Sequence, residues 1–243
     1  MTKSILLIAV SMILSISTAL SQKHEIQRIP LIGSTAPSFK SPSTNGLISF
    51  PEDFGSSWKI LFAHPRDFTP VCSSEILELA YRQDEFSQLG ARIVVISVDR
   101  MVSHLSWKAD LEQINYKGRE RVKINFPLVV DSSSAISHSY GMLDSKSNAG
   151  NSVRGVFFVN PENEIRAFYF YPNEVGRNTD EILRTLKALQ ANHANPNTVI
   201  PANWQPGEDV MIPFLSAEDK EELKKPDSGI YYINWYMIYK KAN

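Results

Sequence analysis

The sequence has little cysteine and almost no excess of charge. Its 243 residues include one cysteine, Cys72, and its 25 basic and 26 acidic side chains leave a formal net charge of -1. A near-neutral chain without clustered Lys and Arg is unlike nucleic-acid binders or polybasic membrane-surface proteins, so we expect no nucleic-acid partner. One cysteine and five scattered histidines give neither CxxC nor HxxxH spacing, so we expect no metal and no cofactor.

A long apolar run occurs at the N-terminus. Lys3 precedes the apolar residues 4–20, and the small residues Ala19 and Ser21 come just before a polar stretch. This order is typical of a secretory signal peptide, which we predict at residues 1–21. The alternative, an uncleaved anchor, needs about 20 spanning residues, and the run is shorter. We therefore expect a secreted protein, or one of the secretory-pathway lumen, without stable membrane insertion after cleavage.

Export makes the single cysteine informative. Secreted proteins usually pair their cysteines, and a leftover one suggests a reactive thiol or an intermolecular bridge. Cys72 cannot form an internal disulfide. It is either an inert buried side chain or a thiol kept free for chemistry, and composition does not decide between the two.

The middle of the chain alternates between strand and helix patterns. A Pro-, Ser- and Gly-rich segment at 23–50 is expected to be extended. The predicted strands lie at 60–63, 93–98, 126–130, 154–159 and 165–171. The predicted helices lie at 72–90, 103–114, 134–140 and 179–190. This alternation, ending in a hairpin, predicts an α/β domain over 30–190, with a mixed central sheet flanked by helices.

The C-terminal region, 191–243, has a different composition. It contains five prolines, an acidic and basic helix pattern at 217–225 and an aromatic tail at 231–236. Aromatic side chains are enriched in buried interfaces. We expect this small region to pack on the first domain or on a partner subunit.

The segment before Cys72 suggests chemistry at its thiol. Residues 64–75 place Cys72 at a strand-to-helix junction, where free N–H groups and the helix dipole favour a thiolate. Arg66 adds positive charge nearby in sequence, and the Thr69 hydroxyl is close enough to bond the sulfur or an incoming peroxide oxygen. These features alone support a nucleophilic cysteine and a buried structural one about equally.

Several motifs resemble those of the peroxiredoxins. Pro65-x-x-x-Thr69-x-x-Cys72 matches the active-site motif of that family. More narrowly, the chain resembles the one-cysteine branch of the peroxiredoxin-six type, within the AhpC/TSA family. The matching segments run from about Ile32 to the tail and include 64–72, 103–107, 141–144, 176–178 and Trp204-x-x-Gly207-x-x-Val210.

The resemblance implies a thioredoxin-like fold with a small C-terminal extension, and a thiol-dependent peroxidase. The Cys72 thiolate would reduce hydrogen peroxide and organic hydroperoxides to water and alcohols, become a sulfenic acid, and serve antioxidant defence and redox homeostasis. With no second cysteine, the enzyme would need an external thiol reductant, glutathione or a protein thiol. The C-terminal region resembles a dimer-forming extension, so we expect a homodimer.

The resemblance also assigns roles to other residues. Thr69 would bind the peroxide, Arg154 would lower the thiol pKa and stabilise developing charge, and Pro65 would shield the sulfenic acid. The supporting residues would be His64, Glu75 and Arg177. Two alternatives remain: Arg154 as a solvated strand residue and His64 as a structural histidine.

Three other functions compete with this one. The first is a non-catalytic exported redox sensor or holdase on the same scaffold. A lipid hydrolase at Ser57 is disfavoured because Pro51 and Glu162 stand where related enzymes have the histidine and the aspartate. A disulfide exchanger needs a second cysteine, and Thr69 and Glu75 occupy both flanking CxxC positions.

Overall fold

The computed structural model of the protein describes residues 29–143 and 152–242. The predicted signal peptide, residues 1–21, lies outside the described residues. Seven strands form the main sheet: β1 (Phe39–Ser43), β2 (Gly46–Phe50), β3 (Trp58–Ala63), β4 (Ala91–Ser97), β5 (Leu128–Val130), β6 (Arg154–Val159) and β7 (Ile165–Tyr171). Their order is β2-β1-β5-β4-β3-β6-β7.

The sheet is mixed, as the sequence predicts. The three strands β3, β4 and β5 run parallel to one another, and the remaining pairs are antiparallel. All six residues of β3 and of β6 are buried. Such fully buried strands occur where both faces of a sheet are covered, because no residue then faces water.

Helices and a hairpin cover the two faces. The helices are α1 (Pro70–Gln88), α2 (Met101–Leu111), α3 (Ala135–Ser139) and α4 (Thr179–Ala194). One core packs α1, α2 and α4 on Ile60, Phe62 and Val95. The other packs α3 and the β1–β2 hairpin on Leu61, Val94 and Phe157. Since neighbouring residues of a strand point to opposite faces, each central strand contributes to both cores.

Helix α1 begins at Pro70, two residues earlier than predicted. Proline is favoured in the first helical turn, because its missing N–H would have no intrahelical acceptor there. Gly90, just past the helix, has a φ of 63°, a conformation that glycine adopts without strain. The other predicted helices and strands are found within a few residues of their expected bounds, and β6 and β7 match residue for residue.

The β1–β2 hairpin lies in the segment predicted to be extended and was missed. Its strands have five residues each and turn at Gly46, whose φ is 100°. Pro42 has no backbone N–H to donate, yet it is tolerated within β1. The reason is that β1 pairs with β5 only through Ser43 and Val129, so few backbone N–H donors are needed on the β5 side.

The C-terminal region forms a second, three-stranded sheet that the sequence did not predict. Its strands are β8 (Val210–Ile212), β9 (Ile230–Asn234) and β10 (Met237–Lys240), in the order β8-β10-β9. The predicted helix is shorter, α5 (Ala217–Glu222), and begins with a capping box between Ser216 and Asp219. Within the described part of the chain, no helix is long and apolar enough to cross a membrane.

Candidate active site around Cys72

Cys72 lies in the first turn of α1, directly after the loop that follows β3. Its side chain is fully buried and it is a free cysteine. Thr69, the residue before the helix, has an extended backbone, and its hydroxyl donates to the Arg66 carbonyl at 3.0 Å instead of capping the helix. The same side chain also lowers the pKa of the Cys72 thiol. The loop therefore places the predicted peroxide-binding hydroxyl beside the thiol.

Arg154, the first residue of β6, contacts the sulfur directly. Its Nη1 donates to Cys72 Sγ at 3.2 Å and to Glu75 Oε2 at 2.7 Å. Its Nε and Nη2 both donate to the carbonyl of Asn173, at 3.0 and 2.6 Å. Because the side chain is buried and held by three partners, the alternative of a solvated strand residue is wrong.

Glu75 and Arg177 form a buried ion pair behind this contact. Glu75 Oε1 accepts from the backbone N–H and the Nε of Arg177, both at 2.8 Å, and Oε2 accepts from its Nη2 at 2.9 Å. The Arg177 guanidinium lies 3.3 Å from the centre of the Phe62 ring. Burial raises the pKa of Glu75, but the hydrogen bonds and charge of Arg177, with Arg154, lower it below its ordinary value.

The cluster carries unequal charge when Cys72 is a thiol. Two buried guanidiniums face one buried carboxylate, which leaves one positive charge in excess. Buried charge is costly unless it is paired, so a thiolate, which brings the sum to zero, is favoured. Arg154 and Arg177, both expected at the site from the resemblance, supply this positive charge, whereas the Arg66 side chain is exposed.

The thiol pKa is lowered despite burial. Burial of Cys72 raises the pKa, but the neighbouring His64 ring lowers it. The Thr69 hydroxyl and a backbone hydrogen bond from Arg66 add to that effect, and the pKa falls from 9.0 to about 6. Most Cys72 side chains are therefore ionised at neutral pH.

His64 is buried against Trp107, with ring centres 5.0 Å apart. In the resting arrangement of the described residues neither of its ring nitrogens has a hydrogen-bond partner, and Nε2 lies 3.7 Å from Asp67 Oδ1. Pro65, the next residue, is also buried and belongs to the same loop. The structure thus brings together six of the residues predicted for the site, and Pro65 lies in the same loop; the six are Cys72, Thr69, Arg154, His64, Glu75 and Arg177.

Asp67 and His104 were not predicted. Asp67 Oδ2 is 2.8 Å from His104 Nδ1, and both side chains are buried. The segment 103–107 entered the sequence analysis only as part of the resemblance. Its histidine and tryptophan lie three residues apart on α2, so both face the thiol loop, a helical spacing that could have identified them.

The region of Ser57 contains one histidine that is distant in sequence. The sequence analysis disfavoured a hydrolase because Pro51 and Glu162 stand where related enzymes have the histidine and the aspartate. The structure places His193, from α4, 3.8 Å from Glu162 and against the ring of Trp58. No hydrogen bond joins the Ser57 hydroxyl to His193 or Glu162 among the described residues.

Comparison with known protein families gives two matches. The AhpC/TSA family model matches residues 32–168. A second model, the C-terminal domain of 1-Cys peroxiredoxin, matches residues 188–225. Together they span nearly all of the main sheet and most of the C-terminal region.

Curated relatives match over nearly their whole length. A peroxiredoxin of Methanosarcina mazei is 42% identical over 216 residues, which is 88% of this chain and 98% of the relative. A peroxiredoxin of Archaeoglobus fulgidus is 39% identical over 219 residues, which is 87% of this chain and 99% of the relative.

Solved structures agree in fold. One is a structure of yeast mitochondrial 1-Cys peroxiredoxin, reported for its thiol resolving mechanism. It has a TM-score of 0.77 at 33% identity, and the match covers 88% of this chain and 100% of that one. A cysteine-to-serine mutant of the peroxiredoxin 6 of Arenicola marina has a TM-score of 0.76 at 29% identity, covering 88% and 98%. The thioredoxin-like fold expected from the sequence is confirmed.

Proposed function

This chain belongs to the AhpC/TSA family of peroxiredoxins, in its one-cysteine branch, and is a thiol-dependent peroxidase; we propose that it reduces hydrogen peroxide and organic hydroperoxides through a sulfenic acid at Cys72. The observation that carries the proposal is the contact of Arg154 Nη1 with the buried, free sulfur at 3.2 Å. A cation at this distance stabilises both the thiolate and the negative charge of a reacting peroxide.

The reaction begins with attack by the Cys72 thiolate on the O–O bond. An S–O bond forms as the O–O bond breaks, and the leaving alkoxide or hydroxide takes a proton to become alcohol or water. Sulfur is oxidised and the peroxide is reduced. Thr69 orients the peroxide, and Arg154 stabilises the charge that moves onto the leaving oxygen.

The remaining site residues hold this arrangement. Pro65 shields the sulfenic acid from water and from further peroxide. Glu75 fixes the Arg154 guanidinium through its 2.7 Å hydrogen bond, and Arg177 holds Glu75 in turn. Without these contacts the Arg154 side chain would no longer be held in its orientation toward the sulfur.

The second half of the cycle needs a thiol from outside the chain. Cys72 is the only cysteine in the sequence. An external thiol attacks the sulfenic acid to give a mixed disulfide and water, and a second thiol restores Cys72. The yeast relative is described as resolved via glutathione/thioredoxin systems, which supports glutathione or a protein thiol here. Because the sulfur is buried, the loop at 64–69 must open for the reductant to enter.

Export and assembly belong to the same proposal. The N-terminal pattern at 1–21 supports secretion. Exposed aromatic side chains on β9 and in the turn after it, among them Tyr232, Trp235 and Tyr236, support a homodimer. Mass spectrometry of the protein recovered from culture medium tests cleavage, and light scattering of the purified protein tests the dimer. Protein that stays in the cells with residues 1–21 attached would contradict export. A monomeric mass would contradict the dimer.

The test of the peroxidase mechanism is the second-order rate of reaction with hydrogen peroxide and with an organic hydroperoxide. Cys72→Ser should react with neither. Ser87→Ala, on the exposed far end of the same helix, is the matched control and should react like the wild type. A Cys72→Ser variant that keeps the wild-type rate would sink the assignment and leave a holdase as the better interpretation.

A further inference from the structure

Three buried polar atoms without partners belong to His64 and Asp67, in the loop that leads to Cys72. Within the described residues, five buried side-chain nitrogen and oxygen atoms have no hydrogen-bond partner. Three of them are Nδ1 and Nε2 of His64 and Oδ1 of Asp67, and His64 Nε2 lies 3.7 Å from Asp67 Oδ1. Leaving such groups unpaired costs free energy, so three at one place require an explanation.

Asp67 is fixed so that its free oxygen points toward His64. Its other oxygen, Oδ2, contacts His104 Nδ1 at 2.8 Å, and its backbone N–H donates to Asp99 Oδ2 at 2.8 Å. His104 Nε2 faces the Val129 carbonyl at 3.2 Å. His104, itself held between Asp67 and the Val129 carbonyl, therefore fixes Oδ2 and leaves Oδ1 as the free oxygen.

We propose that Asp67, held by His104, is a positioning residue of the peroxidase reaction: its free carboxylate oxygen accepts a hydrogen bond from His64 when that ring takes up the Cys72 proton. This inference rests on the proposed function. The gap of 3.7 Å closes with a small rotation of either side chain, and the new contact satisfies two of the three unpaired atoms.

The proton balance of the step is complete. Cys72 gives its proton to His64 and becomes a thiolate. The thiolate attacks the peroxide, an S–O bond forms, the O–O bond breaks, and the leaving alkoxide takes the proton back from His64. The sum is one thiol and one hydroperoxide converted to one sulfenic acid and one alcohol, with His64 neutral again.

The charges around His64 explain why Asp67 is needed. Arg154, through Cys72, opposes a positive charge on the His64 ring, and the carboxylate of Asp67 offsets it. Trp107 covers the ring and keeps water from replacing that carboxylate. Among the described residues, the charged or titratable groups nearest His64 are Asp67, Cys72 and His104, and one contact farther are Glu75, Asp99, Arg154 and Arg177.

The test separates positioning from mere structural support. Thiolate formation at Cys72 is followed by ultraviolet absorbance against pH, in Asp67→Asn, His64→Gln and the double variant. Asp67→Asn should raise the titration midpoint by about one pH unit, a roughly tenfold loss of thiolate below the midpoint. It should also slow the peroxide reaction at neutral pH at least about tenfold. In the His64→Gln background, Asp67→Asn should change neither quantity.

Controls keep the outcome decisive. Asp110→Asn, on the exposed side of α2, makes the same chemical change on the helix that carries His104 and should leave the titration unchanged. If Asp67→Asn does not fold, His104→Gln replaces it, with the same expectation. Losses that add in the double variant would overturn the inference. Because the titration uses no peroxide, an inert wild type with a normal titration would refute the proposed function alone.

Discussion

Replacing Arg154 by Gln tests the electrostatic account most directly. The change removes the cation that donates to Cys72 Sγ and leaves the Glu75–Arg177 pair intact. A buried cluster that a thiolate makes neutral in the wild type would then carry a negative charge. We therefore expect the pKa of Cys72 to rise and the reaction with peroxide to slow.

The size of the effect follows from the contact distance. At 3.2 Å and an effective dielectric constant of about 20, the attraction between the two charges is roughly 5 kcal/mol. Part of it is lost to rearrangement and water entry, so we expect a rise of about one to three pH units in the pKa, which starts from about 6. Arg154 also stabilises charge in the transition state, and such a donor is worth about a hundredfold or more in rate.

The assay is stopped-flow measurement of the second-order rate with hydrogen peroxide over a range of pH, beside the thiolate titration. Together the two effects predict a rate at neutral pH lower by about a thousandfold. At high pH the loss of rate that comes from incomplete ionisation of Cys72 should be recovered. The loss that comes from weaker stabilisation of the transition state should persist. Arg166→Gln, on β7, is the matched control. A variant with the wild-type midpoint and rate would refute the role given to Arg154.

Three further outcomes are expected. In the wild type, the rate with peroxide should rise with pH up to about 6 and level off above it, since the thiolate of Cys72 is the reacting form; a rate that rises only near pH 9.0 would contradict the lowered pKa. Excess peroxide without a thiol should convert Cys72 to a sulfinic acid, seen by mass spectrometry as the gain of a pair of oxygens, and sustained turnover without added thiol would show the one-cysteine cycle wrong. Phosphatidylcholine should not be hydrolysed, because the Ser57 hydroxyl lacks a hydrogen-bonded base among the described residues; hydrolysis that disappears in Ser57→Ala and in His193→Ala would overturn this.

The parts of the fold predicted from sequence are those with strong periodicity. Strands such as β4 are long and almost fully buried, so they appear as continuous apolar runs, and α4 shows a regular apolar stripe. The strands of the C-terminal sheet have three to five residues, and in β9 only Ile230 is buried. Such strands show no alternation of polar and apolar residues. Their pairing depends on contacts with other strands, which the local sequence pattern does not predict.

The same limit applied to the candidate site. Cys72, Thr69 and Pro65 share one short segment, and their proximity could be predicted from the helix start. Arg154 entered only through resemblance, 82 residues away. Asp67 was missed because it carries no signal until α2 is packed against the loop after β3, and His104 was missed because its helical spacing to Trp107 was not used.

The sheet register explains how the distant arginine reaches the thiol. Strands β3 and β6 are antiparallel, with Phe62 opposite Val156. Continuing that register by two residues places His64 opposite Arg154. The chain leaves β3 at this end of the strand and continues into α1, which carries Cys72. Arg154, the first residue of β6, therefore faces the sulfur. Shifting the register by one residue would turn the arginine to the other face of the sheet, toward the core that contains Phe157. The position of the cation is therefore a property of strand pairing, and a variant that perturbs β6 should impair thiolate formation even with every site residue intact.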